Sequence, residues 1–488
     1  MQCRLSWLAA GVGLWIGAPG FGAVDAFKVT TDQTIDPSSL EQIIAQVFAR
    51  AKAQNNDQKA IALYEYVHHT LFHWAYPTEP APQTIGPLKV INVYGWSLCG
   101  GQHTVLKALY ETAGWPCRYV GWSSPAHTTI EVNYDGRWHY LDVFLKCYFW
   151  AKDRSHLASQ EELAADPTLV LDAVKHGRAA REHLCCGDRP EDVISGVRSR
   201  RVVGDSKGWG SVTWRDQGYS PLLRLPSGAS LRLDWGAEPG GFAVRGKPPQ
   251  HSCGIKDFRA DPVFGPVAEH YGPRNWSNGR LIYAPDFNRS ADVAELELTH
   301  AEARAGQLVA RGGLGSALIK LPLPYVYVQA VPTAKFSGGE GRLLLSVDAG
   351  KTWSACSSGQ TNTAVRQRYE LWLKAEFTVA LAELKLEALV EHNRCALPYL
   401  VVGTNRVSVS AQPDPLPEGV ALLVRYGYQE ATVPDPTKRT RWDGAGITYG
   451  PPKIVAQEIT RLPAQFDIVV AGNTPPKMLF LERAVKAR

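Results

Sequence analysis

Residues 92–142 constrain the fold more than any other part of the chain, because they prescribe a helix followed by two β-strands. The stretch opens with a Gly-rich loop that ends at Cys99. Apolar residues then recur at the spacing of a single helical stripe, at Val105, Leu106, Leu109, Tyr110 and Ala113. Gly114 and Pro116 are typical of the end of a helix. The sequence therefore predicts a helix that begins at Cys99.

Two strand-like runs follow this helix, and Asp135-Gly136 between them is a strong signal for a two-residue hairpin turn. With this turn Tyr134 lies opposite Arg137, which places Asp142 diagonal to His127 on one face of the sheet. Diagonal neighbours lie about 7–8 Å apart at Cα, within reach of an Asp–His hydrogen bond. The spacing therefore predicts a contact between Asp142 and His127.

A thiol at a helix start, a histidine on one strand and an aspartate on the next match the requirements of nucleophilic catalysis. The N-terminus of a helix stabilises the thiolate, which is the nucleophile. His127 would be the base that activates Cys99, and Asp142 would orient His127. The alternative for a lone cysteine is a buried small hydrophobe. The oxyanion would be held by the backbone N–H of Cys99 and by a donor from the preceding loop, either Trp96 or Asn92.

The segment from about residue 57 to 150 resembles the transglutaminase-like superfamily, whose papain-like core carries Cys, His and Asp in this chain order. The similarity rests on residues 95–100, on residues 113–118, on His127 before Glu131-Val132, and on residues 135–138 leading to Asp142. Thr128 and Thr129 stand where an aromatic residue often follows the family's His, and Val143 stands where Pro often follows its Asp. These departures concern the acyl acceptor and the substrate cleft and leave the triad in place.

The resemblance implies a thiol enzyme that acts on amide or acyl bonds of a protein or peptide through a thioester at Cys99. Water would complete a peptidase or amidase reaction, and an amine would complete an acyl transfer. Neither a metal nor an organic cofactor is expected. The alternative is a non-catalytic surface or carbohydrate-binding protein with a vestigial transglutaminase-like core. A sialidase is a third hypothesis, and it rests on one hairpin that resembles an Asp-box.

Residues 1–26 are typical of a secretory signal peptide, because Arg4 precedes a short apolar run and small residues follow it. The run is interrupted by Gly and is shorter than a bilayer span. We therefore expect a secreted or periplasmic protein that is not an integral membrane protein. In that oxidising setting some of the eight cysteines that remain after cleavage would pair, but a catalytic Cys99 must stay unpaired. A net charge of +5 over 488 residues indicates no nucleic-acid partner.

The expected fold class is α+β, with a papain/transglutaminase-like catalytic domain followed by two all-β sandwich domains. The catalytic domain is predicted at residues 27–210, with a helical insertion at about 150–200 that begins with a capping box at Ser159. Short alternating runs broken by Gly and Pro predict a jelly-roll-like sandwich at 211–412, with the Asp-box hairpin at 346–353. A Pro-rich linker then leads to a small sandwich at 413–488. Glycan or cell-envelope contact through these β-domains is a further expectation.

Three segments allow alternative interpretations. Residues 374–391 fit either a helix or a strand, and their β-rich surroundings favour a strand. His68, His69 and His73 crowd the end of a predicted helix, but a metal site is not expected because no Cys or carboxylate stands at ligand spacing. A zinc site is likewise not expected in the insertion, where adjacent cysteines suit one tetrahedral ion poorly: His176, His183, Cys185, Cys186.

Overall fold

The computed structural model describes residues 22–81, 83–179, 190–204, 208–213, 215–244, 275–432 and 448–488. Strand makes up 43% and helix 19%, which confirms a mixed α+β protein rich in β-structure. Among these residues, no helix is long and apolar enough to cross a membrane. Residues 1–21 of the expected signal peptide lie outside the described residues, as do His183, Cys185 and Cys186.

The described residues form eight α-helices, of which three are longer than ten residues. The helices are α1 Leu40–Ala51, α2 Asn56–Thr70, α3 Pro87–Lys89, α4 Cys99–Thr112, α5 Gln160–Ala165, α6 Thr168–Leu171, α7 Pro190–Arg198 and α8 Ser290–Ala294. A π-helical turn continues α3 over Val90–Tyr94, and a 3-10 turn covers Arg394–Ala396. The predicted start of α4 at Cys99 is confirmed, and so is the capping box at Ser159.

Twenty-six strands account for most of the remaining regular structure in these ranges. The first ten are β1 Asp25–Thr31, β2 Phe72–His73, β3 Trp96–Ser97, β4 Cys117–Ser123, β5 Ala126–Tyr134, β6 Arg137–Asp142, β7 Cys147–Tyr148, β8 Arg200–Gly204, β9 Gly208–Trp209 and β10 Val212–Thr213. The others are β11 Ala229–Asp234, β12 Trp276–Tyr283, β13 Glu297–Thr299, β14 Ala301–Arg304, β15 Gln307–Ala310, β16 Gly315–Pro322, β17 Val326–Ser337, β18 Gly341–Ser346, β19 Ser354–Cys356, β20 Glu370–Phe377, β21 Ala380–Asn393, β22 Gly403–Gln412, β23 Val420–Gln429, β24 Lys453–Ile459, β25 Ala464–Val470 and β26 Lys477–Ala487.

The N-terminal half is built around an antiparallel sheet with the strand order β7-β6-β5-β4-β8. Tyr134 pairs with Arg137 across the β5–β6 hairpin, which confirms the predicted register. Asp135 and Gly136 form the turn with φ of 51° and 78°, as a type I′ turn requires. Because this turn fixes the register, it also fixes which side chains of β5 and β6 lie on the same face of the sheet.

Helices pack against this sheet and form two separate hydrophobic cores with it. Helices α1, α2 and α4 contribute to one core, where Val105 and Leu109 of α4 join Ile130 of β5. Helices α5 to α7 of the predicted insertion contribute to another, in which Leu163 and Val193 join residues of β4 and β6. The sheet that carries the hairpin is therefore held between helices.

The β-rich half forms three further sheets that share one hydrophobic core. A nine-stranded sheet has the order β14-β15-β21-β12-β11-β26-β23-β24, with β17 also paired to β21. A five-stranded sheet has the order β13-β16-β20-β18-β19, and β1-β22-β25 forms the third. The β-structure predicted at 374–391 is confirmed, but it consists of two strands, β20 and β21, with a bend at residues 378–379 between them. Pairing crosses the boundary expected at residue 413, because β26 lies between β11 and β23.

Hydrogen bonds to Asp348 hold the turn of the Asp-box-like hairpin. Asp348 accepts hydrogen bonds from the backbone N–H of Thr352 at 2.9 Å and from its hydroxyl at 2.6 Å. Ser346 donates to the same carboxylate at 2.8 Å, and the ring of Trp353 lies 6.5 Å from that of Trp372. These contacts brace the link between β18 and β19.

The β-rich half also braces the loop that leads to Cys99. The side-chain amide of Asn393 donates to the carbonyl of Ile91 at 2.6 Å, and that of Asn275 donates to the carbonyl of Thr70 at 2.7 Å. Because both acceptors belong to backbone next to β2 and β3, the β-rich half helps to position the start of α4.

Candidate active site

Cys99 is the first residue of α4, and its thiol is free and partly exposed. No side chain caps this helix start, so the first N–H groups of α4 remain available to an anionic group. The helix start is closely packed at Gly100, where a side chain would collide with the ring of Trp209 and the hydroxyl of Tyr76. The sequence Cys-Gly-Gly therefore allows a thiol at a helix N-terminus with aromatic rings packed around it.

His127 lies beside Asp142, as the hairpin register predicts. Nε2 of His127 is 2.6 Å from Oδ2 of Asp142, and both side chains are buried. Burial lowers the pKa of His127, but the charge and hydrogen bond of Asp142 outweigh it, and the thiol of Cys99 adds to their effect. The pKa of His127 is raised to about 9 as a result. Nδ1, the other ring nitrogen, has no hydrogen-bond partner within the described ranges.

Asp142 is fully buried and is held by several donors. The hydroxyl of Tyr140 donates to Oδ2 at 2.9 Å, and the backbone N–H groups of Phe144 and Leu145 donate to Oδ1 at 3.0 and 2.7 Å. Burial raises the pKa of Asp142, but the neighbouring histidines and these bonds hold it well below its usual range. The carboxylate therefore stays charged and fixed beside His127.

His103 is a second histidine at this carboxylate, and the sequence analysis missed it. Its Nδ1 lies 2.8 Å from the carbonyl oxygen of Cys99, so Nδ1 carries the proton and donates. Nε2 then accepts from the hydroxyl of Thr129 at 3.2 Å and lies 3.6 Å from Oδ1 of Asp142. Burial lowers the pKa of His103 to about 4, so the ring is neutral near pH 7. Its position four residues after Cys99 on one helix was the available signal.

The surroundings of the thiol are aromatic. Burial, together with the nearby Cys99, raises the pKa of Tyr76, so its hydroxyl keeps its proton at neutral pH. The ring of His73 lies 3.9 Å from that of Phe144, which in turn lies 5.3 Å from His127. Burial and the charge of His127 lower the pKa of His73 to about 4. No local sequence pattern pointed to Tyr76 or Phe144.

Of the two predicted oxyanion donors, Asn92 has a side chain that is directed elsewhere, and Trp96 has a buried one. Asn92 donates both amide hydrogens to backbone carbonyls, those of Pro37 and Leu88, each at 3.0 Å. The indole of Trp96 is fully buried near the carboxyl of Glu391, whose pKa burial raises and the indole partly lowers. Both residues therefore support the loop before Cys99.

A metal ion fits the cluster around Asp142 poorly. His103, His127 and Asp142 offer ligand atoms within 4.8 Å of one another. However, Nε2 of His127 and Oδ2 of Asp142 are only 2.6 Å apart, which is the length of a hydrogen bond. Two ligands of one zinc ion, each about 2.0–2.2 Å from it, would stand farther apart. A shared proton therefore suits this pair better than a metal.

No protein-family model matches this sequence, and no curated protein matches it with significance. Three positions define the site among the described residues: a thiol at a helix start, a buried histidine with one ring nitrogen that has no hydrogen-bond partner, and a fixed carboxylate.

Proposed function

We propose that the protein is a thiol enzyme of transglutaminase-like type, which acts on amide or acyl bonds through a thioester at Cys99. The observation that carries the proposal is the orientation of His127. Its Nε2 lies 2.6 Å from Oδ2 of Asp142, and its Nδ1 has no hydrogen-bond partner among the described residues. The thiol of Cys99 contributes to the raised pKa of this ring. A protonated imidazole beside a thiol stabilises the thiolate, which is the attacking species.

In the acylation step, the sulfur of Cys99 bonds to the carbonyl carbon, and the carbonyl electron pair moves onto oxygen. When this intermediate collapses, the C–N bond breaks and the leaving amine takes a proton from Nδ1 of His127. Neutral His127 then removes a proton from water or from an acceptor amine as that molecule attacks the thioester. The thiolate leaves, and His127 is protonated again. Asp142 keeps its charge throughout and holds the ring in place.

The tetrahedral intermediate needs donors for its negative oxygen. The backbone N–H of Cys99 is one, because no side chain caps the start of α4. We assign the second donor to the hydroxyl of Tyr76, in place of Asn92 and Trp96. This hydroxyl lies against Gly100, the residue after the nucleophile, and its raised pKa keeps the proton available for donation.

The proposal also covers the domain type, the substrate and the location of the protein. The region around α4 and the β5–β6 hairpin would be the papain-like catalytic domain, with β-sandwich structure following it. The substrate would be a protein or peptide outside the cytoplasm, since residues 1–26 are typical of a secretory signal.

The experiment is incubation of the pure protein with a peptide library, with and without an added primary amine, followed by mass spectrometry. Peptides shortened at an amide bond would indicate hydrolysis, and peptides that gain the amine would indicate acyl transfer. Cys99→Ala should give neither product while keeping the folded circular dichroism spectrum. Products at an unchanged rate in Cys99→Ala would refute the proposal.

A further inference from the structure

The last turn of α2 brings a carboxylate and two imidazoles together. His68 and His69 follow Glu65 by three and four residues, the two spacings that place side chains on one face of a helix. Nδ1 of His68 and Nε2 of His69 each lie 3.8 Å from Oε2 of Glu65. The ligand atoms of all three residues lie within 4.8 Å of one another. Three potential metal ligands therefore converge on one point.

These distances suit a metal ion better than those of the cluster around Asp142 do. Tetrahedral zinc bonds of about 2.0–2.2 Å place neighbouring ligand atoms roughly 3.3–3.6 Å apart. The 3.8 Å separations at Glu65 exceed this range by a few tenths of an ångström, which rotation of the carboxylate can close. The 2.6 Å separation between His127 and Asp142 falls well below that range.

The surroundings also favour a cation. The side chains of Glu65, His68 and His69 are only 18%, 7% and 16% exposed, so little water competes for them. They lie at the C-terminal end of a helix, which carries a partial negative charge. The ring of Tyr64 stacks on that of His68 at 6.2 Å and 12°, and Tyr148 packs edge-on against Tyr64 at 5.5 Å. The orientation of His68 is thereby restricted before any ion binds.

We propose that Glu65, His68 and His69 bind one zinc ion, with water in the fourth position. Two imidazoles and one carboxylate form the ligand set of many zinc sites that keep an open position, and imidazole disfavours magnesium and calcium. The expectation that no carboxylate stands at ligand spacing from these histidines is wrong, because Glu65 precedes them by three and four residues on the helix. The proposal is independent of the chemistry at Cys99.

The test is titration of the full chain with Zn²⁺ against a chromophoric chelator near pH 7.5, in a Cys99→Ala background that removes the partly exposed thiol of Cys99 as a competing ligand. We expect Glu65→Gln to weaken one binding event at least about tenfold, because metal sites lose this much even when supporting residues change. His69→Ala should remove that equivalent altogether. Glu41→Gln is the matched control, since it removes the same charge from an exposed position on α1 and should change nothing.

Co²⁺ substitution gives an independent readout, since four-coordinate Co²⁺ absorbs strongly in the visible range. This absorption should appear in the parent protein and should need at least about tenfold more Co²⁺ in Glu65→Gln. That variant keeps the shape of the side chain, so it decides the question even if His69→Ala does not fold. Unchanged stoichiometry and affinity in Glu65→Gln and His69→Ala would overturn the proposal, as would a parent that binds no Zn²⁺ at micromolar concentration.

Discussion

Replacing Asp142 with Asn should reverse the protonation state of His127 at neutral pH. The asparagine side chain has nearly the same shape, but it carries no charge. In the native protein, burial lowers the pKa of His127, and the charge and hydrogen bond of Asp142 more than reverse that effect. Without the charge, burial dominates, and the pKa should fall from about 9 to below its ordinary value of 6.5.

The size of this effect follows from the pKa itself. Raising the pKa of His127 from 6.5 to about 9 corresponds to about 3 kcal/mol in favour of the protonated ring. This stabilisation of the folded state is fully present below pH 6.5 and is lost as the pH rises through 9. The unfolding free energy of the native protein should therefore fall between pH 6.5 and pH 9. In Asp142→Asn most of this fall should be absent.

The assay is an NMR titration of protein labelled with ¹⁵N-histidine, in which the His127 signals are assigned by their loss in His127→Gln. Urea unfolding across the same pH range supplies the thermodynamic comparison. Asp135→Asn is the matched control, because it removes an equal charge from the hairpin turn, where Asn tolerates the positive φ of 51°. An unchanged pKa of His127 in Asp142→Asn, or a native pKa near 6.5, would refute this reasoning.

Three further variants test other parts of the account. Gly100→Ala should lower the unfolding free energy by about 1–3 kcal/mol in urea titrations, because the new methyl group meets Trp209. Gly236→Ala, with open space around it, should cost far less. Asp348→Ala should lower the melting temperature without changing turnover, and a selective loss of turnover would contradict its structural role. Tyr76→Phe should lower kcat by about 100- to 1000-fold at unchanged melting temperature. Full turnover in this variant would contradict the role of the Tyr76 hydroxyl as an oxyanion donor.

Much of the candidate site was predictable because its geometry is local. A two-residue turn at Asp135-Gly136 fixes the register of β5 and β6, and the register fixes the relation of His127 to Asp142. The start of α4 at Cys99 follows equally from nearby residues, since the apolar stripe and the helix-ending Gly and Pro lie within one stretch of chain.

The features that were missed depend on contacts between distant segments. Asn92 donates a hydrogen bond to the carbonyl of Pro37, 55 residues earlier in the chain. Sequence spacing does not predict a contact between such distant residues. The approach of Tyr76 to Gly100 likewise depends on how the chain before α4 folds back. β26 pairs with β11, which lies about 250 residues earlier in the chain. The linker-like sequence before residue 420 therefore did not indicate that the segments on its two sides share a sheet.

The most direct test of the central claim is the rate at which iodoacetamide alkylates Cys99 near neutral pH, measured by mass spectrometry in native protein and in His127→Ala. Cys356 is an internal reference, because burial raises the pKa of its thiol and slows its reaction. A thiolate paired with protonated His127 predicts that Cys99 reacts much faster than Cys356 and that His127→Ala removes this advantage. Equal, slow alkylation of Cys99 in both proteins would contradict the account and favour a binding protein with a vestigial catalytic core.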